Sequence, residues 1–241
     1  MPDWRDLAAQ LEEALGLDVA PVAITFGQAA PEGVRLFDAP MPAPNDDGMT
    51  GRVPAGCVFW MLAAERTFTT VPADHGNCSV GQYTHGMIDW EALTSSGDVA
   101  TLLECGWVTV EAAQQLPHVE DAPAYVTYGP LAETPVDPDV VFLRIDASQL
   151  MVVNDAFPDM RLEGKPQCHI IAIAQQGEVA TSLGCAVSRV RTGMPASQMT
   201  CAIPASRLAE AVQRIAAVAS GDDVVMRYAA DDAERFGALS L

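Results

Sequence analysis

The chain has 241 residues, 49% of them hydrophobic, which is enough to bury the core of one large domain or two small ones. Its net charge of −19, from 32 acids against 13 bases, argues against nucleic acid or an anionic membrane as partner, because both require basic surface. No apolar run approaches the ~18 residues of a membrane span, and the opening MPDWRDLAAQLEEALGL lacks the basic start and apolar block of a secretion signal; a soluble, cytoplasmic protein is expected.

Residues 3–16 are predicted to form a helix, capped by Asp3, with Leu7, Leu11, Ala14 and Leu15 on one face and Gly16 to end it. PVAITF (21–26) reads as a short buried strand. Residues 38–55 are rich in Pro, Asp and Gly and read as a loop; its NDDG (45–48) resembles a fragment of a calcium loop without the remaining ligand spacing, so a turn is expected. GCVFWMLAAERT (56–67) reads as a helix preceded by Pro54, and TFTTV (67–71) as a strand followed by a loop to Cys78. The middle, 88–125, carries apolar residues at helical spacing. DVVFLRI (139–145) reads as a strand, 147–156 as a helix, GKPQCHIIAIAQQG (164–177) as a helix beginning near Pro166, and EVATSLG (178–184) as a strand ending at Cys185. The strand MTCAI and an amphipathic helix, SRLAEAVQRIAAVAS, with Ser206 near its cap, close the chain.

One phrase occurs twice. Cys78 is followed by x-Val, five residues and Gly86-Met87; Cys185 is followed by x-Val, five residues and Gly193-Met194. In both halves the order is strand, helix led by a cysteine, strand, cysteine, so Cys57 corresponds to Cys168 and Cys78 to Cys185. The expected architecture is α+β: a single domain over residues 1–241, built from two duplicated strand-helix-strand halves (about 18–87 and 136–194) with added helices.

The same features, taken in order, carry a likeness. An N-terminal helix, PVAITF, a C-x5-A helix, Cys78-x2-Gly81, GKPQC, LGCAVSR and a terminal Ile-Pro plus helix together resemble the DUF169 family, also called uncharacterised ArCR, over nearly the whole chain. The resemblance implies that Cys57, Cys78, Cys168 and Cys185 fall on positions of the family pattern. This chain departs from that pattern at Val187, where glycine is expected before the Ser-Arg pair; Ser188 and Arg189 match. The resemblance implies no defined chemistry, which has to come from the residues.

Six cysteines in a cytoplasmic chain do not suggest a disulfide framework; each is a small core residue, a reactive thiol or a metal ligand. If the halves pack about a two-fold axis, Cys57, Cys78, Cys168 and Cys185 can meet as metal ligands, although no CxxC pair is present. Four thiolates suit zinc or an iron–sulfur cluster. Cys57 and Cys168 fall in the first turn of predicted helices, where backbone N–H groups lower a thiol pKa, and Lys165, the only lysine, is placed to add positive charge beside Cys168. Cys105 and Cys201 lie in apolar stretches and are expected to be plain core residues. His75 and His85 flank Cys78 in predicted loops, as candidates to complete a metal site or take a proton. His169 is expected to point about 100° away from Cys168, and His118 to sit in a polar turn. Arg189 and Arg191 are candidates to hold an anionic ligand beside Cys185. Met87 and Met194 belong to the repeated phrase and read first as core filling, second as soft ligands. Motifs for dinucleotides, phosphate loops, zinc proteases and serine hydrolases are missing.

Three functions stay open. The first is a cofactor-binding protein that holds a metal ion, an Fe–S cluster or a haem-like tetrapyrrole, in redox, sensing or delivery. The second is a thiol enzyme with one activated cysteine acting on a small molecule. The third is a non-catalytic module for a small ligand or a protein, its cysteines merely packing. The expected partners are a small molecule or cofactor, not nucleic acid or membrane, with a homo-oligomer left open.

Overall fold

The computed structural model describes residues 2–38, 54–237 and 239; the NDDG turn and most of the predicted 38–55 loop lie outside them. Helix α1 (Trp4–Leu15) forms as its caps dictate: the Asp3 carboxylate accepts from Asp6 N at 3.1 Å, and Gly16 closes it in the left-handed conformation. Strand β1 (Val22–Gly27) follows, then α2 (Gly56–Leu62), β2 (Phe68–Thr70), a 3-10 turn at Pro72–His75 and α3 (Ser79–Thr84). Three short helices, α4 (Trp90–Thr94), α5 (Gly97–Glu104) and α6 (Val110–Gln114), fill the middle before β3 (Tyr125–Pro130). The second half runs β4 (Val140–Ile145), α7 (Ala147–Ala156), β5 (Arg161–Glu163), α8 (His169–Gln175), β6 (Ala180–Ser182), α9 (Ala186–Thr192), β7 (Met199–Pro204) and α10 (Leu208–Gly237).

The strands make one mixed α+β sheet in the order β2-β3-β1-β4-β7-β6-β5, antiparallel except at β5–β6. Outward from the central β1–β4 pair, β3 then β2 on one side answer to β7 then β6 on the other, where β5 adds an edge strand without a counterpart. The register at that seam mirrors itself: Ala23 faces Val141, with Val22 on Phe142 and Ile24 on Val140. On one flank Val22 faces Pro130; on the other, Val140 faces Pro204. Past those prolines, Leu131 N donates to Pro21 O at 2.8 Å and Ala205 N to Asp139 O at 3.0 Å. Further out, Thr69 faces Thr127 and Thr181 faces Cys201. Cys57 and Cys168 both stand at the start of a short helix, as do Cys78 and Cys185. The likeness does not keep to residues 18–87 and 136–194: β3 and β7 take part in it, α4–α6 separate α3 from β3 in the first half, and α7 and β5 of the second half have no counterpart in the first.

Alternation along the strands sends side chains to two cores. Val22, Ile24, Val140 and Phe142 face the layer of α2, α3 and α8, whereas Ala23, Val141, Leu143 and Ile203 face α1, α7 and α10. Both faces are covered, so the strand runs are almost wholly apolar.

Several boundaries differ from expectation. The helix expected from Pro166 starts at His169, because a cis Lys165–Pro166 bond and a turn precede it. Cys185 does not end a strand, and Cys78 does not close a plain loop; they are N-caps of α9 and α3. Ser206 lies in a 3-10 turn, and the last helix begins at Leu208 and runs 30 residues. No helix among the described residues is long and apolar enough to cross a membrane.

Candidate functional site

The repeated phrase is a short helix with a cysteine at its head and a left-handed glycine at its foot: Gly86 has φ 72° and Gly193 φ 66°. Cysteine is a poor cap and accepts no capping bond here. Its position instead aims the thiol off the end of the helix. Helix α2 packs on α9, and α3 packs on α8, so each cysteine-led helix of one half lies against a cysteine-led helix of the other. This crossed arrangement brings Cys57, Cys78, Cys168 and Cys185 to the lining of one cavity of about 270 Å³.

Each of three thiols finds a partner across the seam. Cys57 lies beside Ser188, Cys78 beside Arg191 and Cys168 beside Thr84, and each neighbour counters part of the rise that burial causes. Cys57, Cys168 and Cys185 are each 9% exposed, and Cys78 is half-buried. Burial pushes the thiols of Cys57, Cys78 and, furthest, Cys168 above their ordinary value, and the neighbouring cysteines add to the rise at Cys57 and Cys168. The helix starts were expected to lower these pKa values; desolvation outweighs them. Among the described residues no group of three or more His, Cys, Asp or Glu is drawn together as a metal site. The thiols ring a space rather than collapse on a point.

The rest of the lining escaped the sequence reading. Gln167, 2% exposed, donates from Nε2 to Ser188 Oγ at 2.7 Å, and its Oε1 is left without a partner. Trp60 walls the cavity from α2, and its buried Nε1 is also unpartnered. From the middle helices come Asp98 and Leu102, with Trp107 just beyond. Asp98 is half-buried, which raises a carboxyl pKa, but bonds from Ser79, Ser96 and Val99 outweigh this and hold it below the ordinary range. One signal was available: Trp60, Gly81 and Ser188 each follow a cysteine by three residues, and such pairs share a helix face.

Other candidates fall elsewhere. The Arg189 guanidinium donates to the carbonyls of Leu183, Pro195 and Gln198, so it holds the backbone around α9 rather than an anion. Arg191 lines the cavity in its place. Lys165 is not in the lining; its Nζ lies 4.4 Å over the Trp107 ring. His75 and His85 are buried behind the wall, not in loops. His169 is buried 3.4 Å from Glu163, and His118 is exposed. Cys105, expected in a core, is exposed at the end of α5. Cys201 is fully buried, as expected. Met87 packs on the core and Met194 is buried; neither lines the cavity.

The arrangement defines an α+β protein in which four short helices, two from each side of a central strand pair, deliver one cysteine each to a common cavity. The chain belongs to the DUF169 family, uncharacterised ArCR, whose pattern matches residues 10–214. No curated protein and no solved structure matches it.

Proposed function

We propose that the protein binds a cofactor through Cys57, Cys78, Cys168 and Cys185, and that the cofactor is a soft-metal group of several atoms, an iron–sulfur cluster in the first instance. The observation that carries this reading is the convergence of these four thiols, from four separate helices, on one cavity. Size then discriminates. Sulfurs sharing one zinc stand within about 4 Å of each other, given Zn–S bonds of ~2.3 Å, and leave no cavity. Around a cubane cluster the span is roughly 6–7 Å. A cavity of about 270 Å³ suits a group of that size. It lies below the ~300–1,000 Å³ typical of drug-sized ligands, so a whole tetrapyrrole would project from it. Four free thiols also fit a reducing compartment such as the cytoplasm. The cofactor would serve redox chemistry, sensing or delivery.

A thiol enzyme is the weaker reading, because burial raises the very thiols that would have to be activated. The test is anaerobic reconstitution with iron and sulfide, followed by absorption and metal analysis. A broad band near ~400 nm with bound iron and sulfide is expected. Replacing any one of the four cysteines with Ser should lower iron content; Cys105→Ser and Cys201→Ser should not. Unchanged iron content in all four single variants would sink the shared site.

A further inference from the structure

Behind the cavity wall, the turn at Pro72–His75 and the end of α3 bring two imidazoles together. His75 is 1% exposed and His85 0%, and their ring centroids are 6.0 Å apart. Their hydrogen bonds fix both tautomers. Thr70 Oγ1 donates its proton to the Val126 carbonyl at 3.1 Å and therefore accepts from His75 Nε2–H at 2.9 Å. That leaves a lone pair on His75 Nδ1. His85 Nδ1–H donates to the Gly81 carbonyl at 2.8 Å, which leaves a lone pair on Nε2. Neither lone pair has a partner. Gly56 lies against both rings: a methyl group built there would stand 3.8 Å from His75 Nδ1, and 3.5 Å from Cε1 and 3.6 Å from Nε2 of His85.

We propose that His75 Nδ1 and His85 Nε2 form a two-coordinate site for one soft monovalent cation of the Cu(I) class, distinct from the thiol cavity. A metal-bound histidine characteristically gives its other N–H to a carbonyl or a similar oxygen, and both rings do so. Imidazole suits copper. Nitrogens about 2 Å from one ion, on opposite sides of it, place the ring centroids roughly 6 Å apart. Zinc would need four donors, and among the described residues no third His, Cys, Asp or Glu completes such a group. The rings of Phe59, Tyr128, Phe26 and Trp60 enclose the pair at 4.7–6.3 Å. In that apolar shell one charge costs far less to bury than two. The same burial keeps both rings neutral, with His75 well below its ordinary value and His85 at about 4, as metal ligands must be. Gly56 lines the thiol cavity as well, so one glycine separates the pair from that space.

The test uses Ag(I), a redox-inert probe with the same preference for two ligands, added to the full chain with ¹⁵N-labelled histidines. The four imidazoles are separable, and the thiols take up the first equivalents. The next equivalent should split the signals of His75 Nδ1 and His85 Nε2 together, by coupling to silver, before the exposed His118 changes. His75→Gln keeps an N–H donor toward Thr70, and His85→Asn keeps one toward Gly81, while each removes a lone pair. Each should weaken this step at least ~tenfold. No coupling at either nitrogen would mean a buried water only and overturn the proposal, as would unchanged silver binding by both His75→Gln and His85→Asn. The readout is on histidine, so this result stands or falls separately from the thiol cofactor.

Discussion

The two glycines that end the repeated phrase share a conformation and differ in their surroundings. Both have positive φ, which an L side chain enters at a cost of about 1–2 kcal/mol. A Cβ on Gly193 meets nothing within 4 Å, so Gly193→Ala should cost about that much. A Cβ on Gly86 would stand 2.4 Å from the Val119 carbonyl oxygen, which adds about 1–3 kcal/mol of overpacking. Urea midpoints of the two variants should therefore separate clearly, with Gly86→Ala the lower. The cysteines allow a second comparison. Thiol labelling follows exposure and thiolate fraction. Cys105 is exposed, whereas Cys201 is fully buried and its thiol is pushed up to about 12 by burial. Iodoacetamide at neutral pH should label Cys105 first and Cys201 last, with the four cavity thiols between. This puts Cys105 ahead of Cys57 and Cys168, against the expectation from their helix starts, and keeps both ahead of Cys201; faster labelling of those two than of Cys105 would restore the expected order.

Element by element, what could be read from the chain depended on whether a local signal existed. Helix α1 is marked by Asp3, its apolar stripe and Gly16, and forms as expected. Strands β1 and β4 declared themselves as apolar runs because both faces of the sheet are covered. Helices α3 and α9 did not: at six and seven residues they are too short for a period to show, and cysteine is no capping signal. The four cysteines were legible as a set through their repeated spacing. Gln167 was not, since only the crossed packing of α2 on α9 and α3 on α8 carries it to the cavity, and Arg191 was named only together with Arg189. Arg189 and Arg191 lie about 200° apart around α9, and the sequence alone does not say which turns inward. Helix α7 supplies a prediction at this scale. The Asp146 carboxylate accepts from Gln149 N at 2.9 Å and Ser148 Oγ at 2.7 Å, and Gln149 Nε2 reaches the Leu15 carbonyl at 3.1 Å. Asp146→Ala should cost about 1 kcal/mol. The Gln149 amide, and then Ser148, hold the Asp146 carboxyl below its ordinary range. A depressed carboxyl stabilises above its unfolded value of about 4 and loses that effect as pH falls through the lowered one. The difference between wild type and Asp146→Ala in denaturant titrations should thus shrink in acid.

Across the whole molecule, the proposed cofactor would join the two sides of the β1–β4 seam, because Cys57 and Cys78 come from one side and Cys168 and Cys185 from the other. Binding to the folded state alone stabilises it, by about 2.7 kcal/mol at a hundredfold excess over Kd. Loading with iron and sulfide should raise the urea midpoint of wild type and of Cys105→Ser, and fail to raise it in Cys57→Ser or Cys185→Ser. A rise that survives both cavity variants would show that the seam is not being clamped there. The packing of α1 against α10 bears on how the chain is made. Leu11 and Leu15 are covered in the finished structure partly by a helix that begins at Leu208, almost 200 residues later. At a synthesis rate of roughly 5–20 residues per second, α1 leaves the ribosome some 10–40 s before that partner. Throughout this interval its apolar stripe lacks the cover of α10, whatever Leu131 and the strands already supply, which makes it a natural handle for a ribosome-associated chaperone. Nascent chains arrested before residue 208 should be crosslinked to such a chaperone through α1, and chains extended past α10 should be released from it.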